Sequence, residues 1–468
     1  MKVAGLVVGV ALVFLTIGKE ALTEETTVLP LAQETAALPA DPAYARVASS
    51  AWQPEASAAQ EAEAEMAGPP TTDVERPYEF AEAAPGPAPG PQPWKLPQPC
   101  LFQRLGIDVG GWVQQGITLN GDDPADGYNG PVCTDDFAND YQVNQAWLYF
   151  VRPTNTNGCG IDVGGRFDLV YGTDWRFGQN FGLEEKINSN DSYYGLIFPQ
   201  AYLEVAINNL TVKMGHFATF TTYEVVPAPL NFFYSHSYSM TGYFDPCLVT
   251  GLMTEYKLGQ HWTVLNGFHR GPFMFEDIND DLNYLGGVKW ASHGKRTTMS
   301  MMVDSGAQDL LGDHNRTTYF LVFTHQLNDR LQYALQHTLG FEEEGSVQTP
   351  GQDAEWYGLS QWLFYKINPK WSAGVRFEWI RDDDGARIFG IGNILGTDKG
   401  WQGAPGFAGD FYETALGLNW RPHPNIVFRP EVRWDWYEGT RNVANQLPFN
   451  AGTDRNQFTT AMDLIVTF

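Results

Sequence analysis

The sequence predicts an all-β fold, a transmembrane antiparallel up-and-down β-barrel of about sixteen strands, with a disordered Pro/Ala/Glu-rich N-terminal segment. From residue 100 onward, apolar residues recur at every second position, as in strands that have one apolar and one wet face. The connections between these strands alternate between short and long, which is typical of outer-membrane barrels. Aromatic residues make up 14% of the chain, and 48 of its 468 residues are glycine. This composition favours strands.

The first 21 residues are interpreted as a secretory signal peptide. Lys2 precedes an apolar run from Val3 to Ile17, and a short basic start followed by such a run is typical of export signals. A single-pass anchor is the alternative, although the run is short for a membrane span. No later stretch of about 20 apolar residues occurs, so a bundle of membrane helices is excluded.

Residues 22–99 are predicted to be a disordered periplasmic linker. They contain about half of the chain's 29 prolines, together with many Ala and Glu residues. Such a segment cannot bury enough apolar surface to offset the entropy lost on ordering. The barrel is therefore expected to occupy residues 100–468.

Within that region the alternation predicts sixteen strands, joined by turns such as Asn208-Asn209 on one side and by long loops on the other. A soluble β-sandwich would also alternate, but it would not explain loops that are long on one side only. The predicted strands are 105–119, 142–152, 160–172, 195–207, 210–217, 247–258, 261–270, 283–291, 296–304, 316–327, 330–340, 355–367, 370–381, 410–421, 425–436 and 457–468.

Two further patterns favour a lipid environment. Outward aromatic residues recur eight positions apart, as in Trp371 and Trp379, which is about 26 Å along a strand and close to the spacing of two interfacial girdles. The chain also ends on Phe468 after alternating apolar residues. We expect barrel-assembly machinery to bind this terminal strand and outer-membrane lipid to surround the barrel.

Four segments resemble the OmpL-like putative β-barrel porins of bacterial outer membranes. The longest is the segment from Glu224 to Tyr238, and the resemblance covers residues 105–468 without the Pro-rich segment. It implies an outer-membrane pore and brings no catalytic residues. The other three segments run from Asp168 to Asp174, from Leu210 to Phe217 and from Arg376 to Arg387.

Barrel size predicts the function, because sixteen strands are too many for side chains to fill the bore. We expect a water-filled channel for diffusion of small polar solutes and ions. Its narrowing is assigned to the loop 218–246, which is nearly uncharged and too aromatic for an exposed surface. The alternatives for this loop are a cap on the barrel or a contact between subunits. The candidate residues of this pore constriction loop are Glu224, Phe232, Phe233, Tyr234 and His236.

Several predicted strands carry charged residues of both signs on their polar face. These residues are interpreted as lining the pore. Such charges can select among solutes by their field, or they can neutralise one another and brace the wall. Both roles are compatible. The predicted pore-lining residues are Arg166, Asp168, Arg376, Glu378, Glu413, Arg429, Glu431 and Arg433, with Asp435 beside them.

Other functions have little support in the sequence. The net charge of −26 disfavours a nucleic-acid binder. No motif of a zinc protease, a serine hydrolase or a phosphate-binding loop occurs, so we expect no enzyme, no cofactor and no metal. A non-conducting barrel that acts as envelope anchor or surface receptor remains the alternative function. A homotrimer is favoured over a monomer, and both termini are expected in the periplasm because the strand number is even.

Four cysteines allow three disulfide pairings in an oxidising compartment. Cys100 and Cys159 fall on the short-turn side, whereas Cys133 and Cys247 fall on the long-loop side. A barrel wall about 25 Å tall separates the two sides. The sequence therefore predicts the bridges Cys100–Cys159 and Cys133–Cys247, with four thiols as the alternative.

Overall fold

A computed structural model of the chain describes residues 92–189, 192–219, 221–240, 247–307, 309, 311–389 and 406–468. The predicted signal peptide, and the predicted linker before residue 92, lie outside the described residues. Within the described ranges, no helix is long and apolar enough to cross a membrane.

Seventeen strand segments of the described residues form one closed antiparallel sheet. The first segment pairs with both the second and the last, which closes the barrel. The segments are β1 Asp108–Asn120, β2 Asp140–Arg152, β3 Ile161–Gly172, β4 Gly195–Ile197, β5 Ala201–Ile207, β6 Leu210–Ala218, β7 Leu248–Leu258, β8 Trp262–Pro272, β9 Asn283–Ala291, β10 Thr297–Ala307, β11 Asn315–Asn328, β12 Leu331–Glu342, β13 Ala354–Asn368, β14 Trp371–Asp382, β15 Gly409–His423, β16 Ile426–Gly439 and β17 Asn456–Thr467.

The short segment β4 and the segment β5 are two parts of one barrel strand, because both pair with β3. Counted in this way the barrel has sixteen strands, which confirms the predicted fold class. Between β4 and β5, the three residues 198–200 lie opposite only two residues of β3, Asp168 and Leu169. The strand formed by β4 and β5 therefore contains a bulge, which the alternation did not predict. The amide of Asp168 still donates a hydrogen bond across the bulge to the Gln200 carbonyl.

The alternation of each strand separates the two faces of the wall. Large apolar side chains on the outer face are exposed, as lipid-facing residues of a barrel are. Examples are Leu203 and Met214, which are 63% and 57% exposed. Their sequence neighbours point inward, among them Glu204 and Lys213, which lie directly opposite each other on β5 and β6. The predicted assignment of alternate residues to the outer and the inner face of the barrel is therefore correct.

The two ends of the barrel differ as predicted. One end has tight turns, such as the two-residue turn between β5 and β6, where Asn208 adopts a positive φ of 55°. The other end has the long loops, of which three matter below. They are L1, residues 121–139, L2, residues 173–194, and L3, residues 219–247.

A short helix and an extended segment precede β1 at the end with the tight turns. The helix α1, Cys100–Leu105, occupies the boundary between the predicted linker and the barrel. Before it, the Trp94 ring stacks on His423 at 4.3 Å, and the Trp94 amide donates to the Asn425 side chain. The Gln98 side chain exchanges two hydrogen bonds with the backbone of Val109. The last residues before the barrel are thus bound to its rim.

The predicted disulfides are wrong, because none of the four cysteines, all of which lie in the described ranges, forms a disulfide. Cys100 and Cys159 are exposed thiols, and Cys133 and Cys247 are buried in one apolar cluster. Topology places each predicted pair at one end of the barrel. A disulfide also requires Cα atoms within about 7 Å and converging Cβ directions, which a shared rim does not provide.

Candidate functional site

The inward faces of β14, β15 and β16 carry a row of carboxylates beside a row of guanidinium groups. Glu378, Glu413 and Asp435 lie directly opposite one another on the three strands. Two residues further along, Arg376 and Arg433 flank Ala415 in the same way. Residues two apart share one face of a strand, so the acidic row and the basic row are adjacent. All five charged side chains are buried.

Ion pairs connect these rows and neutralise part of the acidic charge. Arg376 Nε lies 2.7 Å from Glu413 Oε2, and Arg433 Nη2 lies 2.7 Å from Asp435 Oδ1. Arg429, which also lies on β16, binds the carboxylate of Asp463 on β17 through both Nε and Nη2. Buried charges persist only when they are paired and hydrogen-bonded. Each of these guanidinium groups is therefore balanced by a carboxylate on the same strand or on the next one.

The backbone of L3 binds the same wall charges. Glu378 accepts hydrogen bonds from the amides of Tyr238 and Ser239, and Glu431 accepts from those of Tyr234 and Ser235. An irregular buried loop must find partners for its backbone groups outside itself. Here the carboxylates of the wall supply the acceptors for its amides.

The wall arginines satisfy the loop's carbonyl groups in turn. Arg429 donates to the carbonyl of Asn231 at 2.7 Å, and Arg433 donates to that of His236 at 2.6 Å. Arg376 donates to the Ser235 carbonyl at 2.8 Å. The predicted lining residues of β14 and β16 thus point inward, as the alternation requires, and bind the loop.

Glu224 is the acidic residue by which L3 meets the basic row. Its Oε1 lies 2.7 Å from Arg376 Nη1 and accepts a hydrogen bond from Trp362 Nε1 at 3.1 Å. Its Oε2 accepts from the amide of Ser237. Burial by itself raises the pKa of Glu224, but the charge of Arg376 and these hydrogen bonds outweigh it and lower the pKa. Glu224 is therefore an ionised structural carboxylate at neutral pH.

The aromatic tip of L3 is buried against the wall. Phe232 and Phe233 pack against Phe364 of β13, with ring centroids 4.9 and 6.4 Å from it. The hydroxyl of Tyr234 donates to the Asn144 side chain on β2. The tip thus contacts both β13 and β2, which lie on opposite sides of the pairing between β17 and β1 that closes the barrel. Phe220, Tyr243 and Phe244, which add to the loop's aromatic character, lie outside the described residues.

His236 of L3 is buried and contacts L1. Its Nδ1 lies 3.4 Å from the hydroxyl of Thr134. Burial lowers the pKa of His236 to about 3, so the imidazole is neutral at physiological pH. The residue is a neutral hydrogen-bonding group inside the contact between two loops.

Sequence reasoning missed the ion pair that joins L1 to L2. Asp136 and Arg176 are both completely buried, and each guanidinium Nη lies 2.9 Å from one carboxylate oxygen. They lie 40 residues apart in different loops, so no local spacing marks them as partners. Within the described residues, no group of three His, Cys, Asp or Glu side chains could hold a metal ion.

The remaining predicted charges lie on β3. Arg166 and Asp168 form a pair on one strand, with Nε 2.7 Å from Oδ1, and Asp168 also accepts from Trp147 Nε1 on β2. Asp168 is completely buried, whereas the Arg166 side chain is 12% exposed. This pair is inward-facing, and its role in lining a pore stays a prediction.

Comparisons with known proteins agree with this architecture. The profile of a family described as "Putative beta-barrel porin-2, OmpL-like" matches residues 106–468. Pseudomonas putida OprB is similar in structure, with a TM-score of 0.50 and 12% identity, over 79% of this chain and 96% of that chain. This likeness shows the barrel fold.

Two other solved structures match this chain at lower similarity. The outer membrane channel DcaP of Acinetobacter baumannii has a TM-score of 0.49 and 12% identity, over 78% of this chain and 98% of that chain. An anion-selective porin from Comamonas acidovorans has a TM-score of 0.49 and 10% identity, over 77% of this chain and 99% of that chain. A comparison with curated protein sequences gives no match.

Proposed function

Because the chain belongs to the OmpL-like family of β-barrel porins through residues 106–468, we propose that it forms a water-filled channel in the outer membrane. Small polar solutes and ions diffuse through this channel, and L3 narrows it. The function is transport and not catalysis. A barrel of sixteen strands encloses more space than its own side chains fill, and this is the basis of the proposal.

The narrowing by L3 is supported by the partners of the loop. Its hydrogen bonds go to inward side chains of β12, β14 and β16 and to Asn144 and Gln145 of β2. These strands lie on both sides of the closure between β17 and β1. A loop held in this way occupies part of the bore's cross-section and leaves the remainder for solutes.

The charges that bind L3 have a bracing role in this proposal. Arg376, Glu378, Arg429, Glu431 and Arg433 all bind the backbone of the loop. Their contribution to selectivity is then indirect, through the position of the loop. Glu413 acts with them by holding Arg376.

Planar-bilayer recording tests the channel directly. The purified barrel should give stepwise ion currents, and removal of Phe232, Phe233 and Tyr234 should raise the single-channel conductance. Removal of Val443, Ala444 and Asn445 from an exposed outer loop is the matched control. An unchanged conductance in a folded tip variant would indicate that L3 caps the barrel or contacts a neighbouring subunit.

A non-conducting barrel that anchors the envelope or serves as surface receptor is the second candidate. It is favoured by the complete burial of the wall charges on β14 and β15, because a bore filled over its whole section would give the same burial. The absence of any current from correctly folded protein would support it.

The remaining assignments concern orientation and partners. Both chain ends are assigned to the periplasm and the long loops to the outside. Lipid of the outer membrane covers the outer face, the assembly machinery binds the strand that ends in Phe468, and the barrel associates as a homotrimer. Chemical crosslinking in intact membranes distinguishes a trimer from a monomer, and labelling of single cysteines tests the orientation.

A further inference from the structure

The short helix α1 at the end with the tight turns presents large apolar side chains to its surroundings. Leu101 and Leu105 are 61% and 51% exposed. Because an α-helix has 3.6 residues per turn, Leu101, Phe102 and Leu105 lie on one face. Gln103 and Arg104 lie on the other face, and no residue of the helix is buried. The helix is therefore amphipathic, with an uncovered apolar face.

The helix lies against the outer face of the barrel wall. The ring of Phe102 lies 6.0 Å from the ring of Phe150 on β2, edge to face at 89°. Phe150 is directly opposite Phe167 of β3, which is 43% exposed. Gly165, two residues before Phe167, pairs with the outward-facing Leu203, so this row belongs to the outer face. The apolar face of α1 thus continues the lipid-facing surface of the barrel.

The end of α1 is fixed by its own backbone and by the wall. The chain turns at Gly106, whose φ is 67°, and the amide of Ile107 donates to the carbonyl of Phe102 at 2.9 Å. This is the long hydrogen bond of a Schellman motif. Nε of Arg152, the last residue of β2, donates to the carbonyl of Leu105 at 3.1 Å. The direction of the helix relative to the wall is therefore defined.

Aromatic residues mark the membrane interface at the same end of the barrel. The outward rings of Trp371 and Trp420 stack at 5.9 Å, and both residues are partly exposed. Trp371 is the first residue of β14 and thus adjoins a tight turn. Tryptophans in such girdles lie at the level of the lipid headgroups. Phe150 is only two residues from the end of β2, so α1 lies about as close to the turns as this girdle does.

The end that carries α1 is basic, although the net charge of the chain is −26. The tight turns, all of which lie within the described residues, carry Lys295, Arg296, Arg330 and Lys370 against the acidic Asp329. L1 at the opposite end carries five aspartates and no Lys or Arg. The tight-turn end is therefore the one that attracts anionic groups.

We propose that α1 is an interfacial anchor, in which Leu101 and Leu105 enter the acyl region of the adjacent leaflet and Arg104 binds the phosphate of an anionic phospholipid. The inference rests on the location of the barrel in a membrane and not on conduction. In the orientation proposed above, the adjacent leaflet is the periplasmic one. A long basic side chain reaches a headgroup while its stem lies along apolar surface.

The barrel makes such a short anchor effective. Amphipathic helices bind membranes through buried apolar area together with attraction to anionic lipids. Six residues provide little of either, but the contacts of Phe102 and Arg152 already hold the helix at the interface. Binding is then intramolecular and needs no affinity of its own. The anchor keeps the junction between the barrel and the preceding residues at the membrane surface.

Fluorescence quenching on the full-length barrel in phospholipid vesicles tests the anchor. The native Cys100 lies between Gln103 and Arg104 on the polar face, which provides a control site beside Leu101. A bimane label on Leu101→Cys, with Cys100→Ser and Cys159→Ser, should be quenched severalfold more by nitroxide on lipid acyl chains than by aqueous iodide. A label on the native Cys100, with Cys159→Ser, should show the reverse. The two other thiols are buried.

The headgroup preference tests the role of Arg104. In mixed vesicles, phosphatidylglycerol with a nitroxide on its acyl chain should quench the label on Leu101→Cys severalfold more than phosphatidylcholine labelled in the same way. Arg104→Gln should abolish the difference. Lys370→Gln is the matched control and should keep it, because Lys370 is exposed on the turn between β13 and β14.

Each outcome decides one part of the proposal, once the heat-modifiable band shows that the variant has folded. Equal access of iodide to the labels at Leu101→Cys and Cys100 would overturn the anchor. Protection of the first label from both quenchers would also overturn it, because protein such as a second copy would then cover the helix. Equal quenching by the two lipids would overturn the role of Arg104. If the anchor is found in a barrel that carries no current, only the channel function fails.

Discussion

Arg376 on β14 and Glu224 in L3 form a buried ion pair, with 2.7 Å between Nη1 and Oε1. The same guanidinium lies 2.7 Å from Glu413 on β15. One side chain of the wall therefore holds both the neighbouring strand and the loop.

Arg376→Gln should release L3 while leaving the barrel closed. The change leaves Glu224 and Glu413 buried without their cation, and breaking a buried pair in this way costs about 3–5 kcal/mol. Amide hydrogen exchange in residues 221–240 should accelerate by about a hundredfold or more, since 1.4 kcal/mol corresponds to about tenfold. Arg381→Gln is the control, because the Arg381 side chain is 35% exposed. Equal exchange rates in both variants would contradict the assigned role of Arg376.

Gly374→Ala should move the tip of L3 away from the wall and lower the conductance. A Cβ at Gly374 would lie 2.5 Å from the ring of Phe232, so the ring must shift towards the bore. Such overpacking costs about 1–3 kcal/mol. The added Phe232→Leu substitution should restore the conductance by making room. A reduced conductance that this second change does not restore would argue against contact between tip and wall as the cause.

Gly111 is predicted to be essential for closing the barrel. Its amide and carbonyl exchange hydrogen bonds of 3.0 and 2.9 Å with Phe468, and a Cβ there would lie 2.2 Å from the Trp147 carbonyl oxygen. Gly111→Val should therefore reduce the yield of folded barrel, measured as the heat-modifiable band in cold gel electrophoresis. Gly121→Val, where nothing lies within 4 Å of an added Cβ, should fold normally. Equal yields would show that closure does not depend on this approach of the two chain ends.

The alternation predicted the barrel well because it depends only on local spacing. Each of the sixteen predicted strands is present, and most ends differ by at most three residues. The bulge before Ala201 escaped prediction because its cause lies in L2, where Glu184 accepts a hydrogen bond from the amide of Phe198. Local spacing contains no information about such a partner.

The loops were predicted less well, since their charges find partners far away in sequence. Five aspartates lie in L1, and two of them, Asp135 and Asp136, are buried. Asp122 and Asp123 are exposed. The inward direction of Arg376 and Glu378 followed from the alternation, whereas their binding to the backbone of L3 did not.

L2 should loosen as the pH rises towards neutrality. Glu184 is buried and accepts hydrogen bonds from Asn180 and Phe198. Burial raises its pKa from the usual 4.5 to about 7. The folded loop therefore binds more protons than the unfolded loop between these values, so its stability is highest below pH 4.5 and falls as the pH rises to about 7.

Trypsin cleavage after Lys186, which is exposed within L2, measures this loosening. The rate for the wild type, divided by that of Glu184→Gln at the same pH, should rise between pH 5 and pH 8. The division cancels the enzyme's own pH dependence, because the glutamine does not titrate. A constant ratio would mean that the Glu184 carboxyl does not control the loop.

The orientation of the barrel is predicted from its even number of strands, which returns the chain to the side where it started. Both termini are then periplasmic, and the long loops face outward. Single cysteines at Asp123 and Glu343, which are exposed on long loops, should react with a membrane-impermeant biotin reagent on whole cells. Val443, which is 59% exposed on the loop between β16 and β17, provides a third site.

Cysteines at Asn208 and Asp329 are the matched controls, because both residues are exposed on tight turns. They should stay unlabelled on intact cells and react once the outer membrane is permeabilised. The native Cys100 and Cys159 lie at the same end as these turns and should behave in the same way. Labelling of Asn208→Cys or Asp329→Cys on intact cells, with none at Asp123→Cys, would reverse the orientation. The tight turns would then face the cell exterior, and the long loops would face the periplasm.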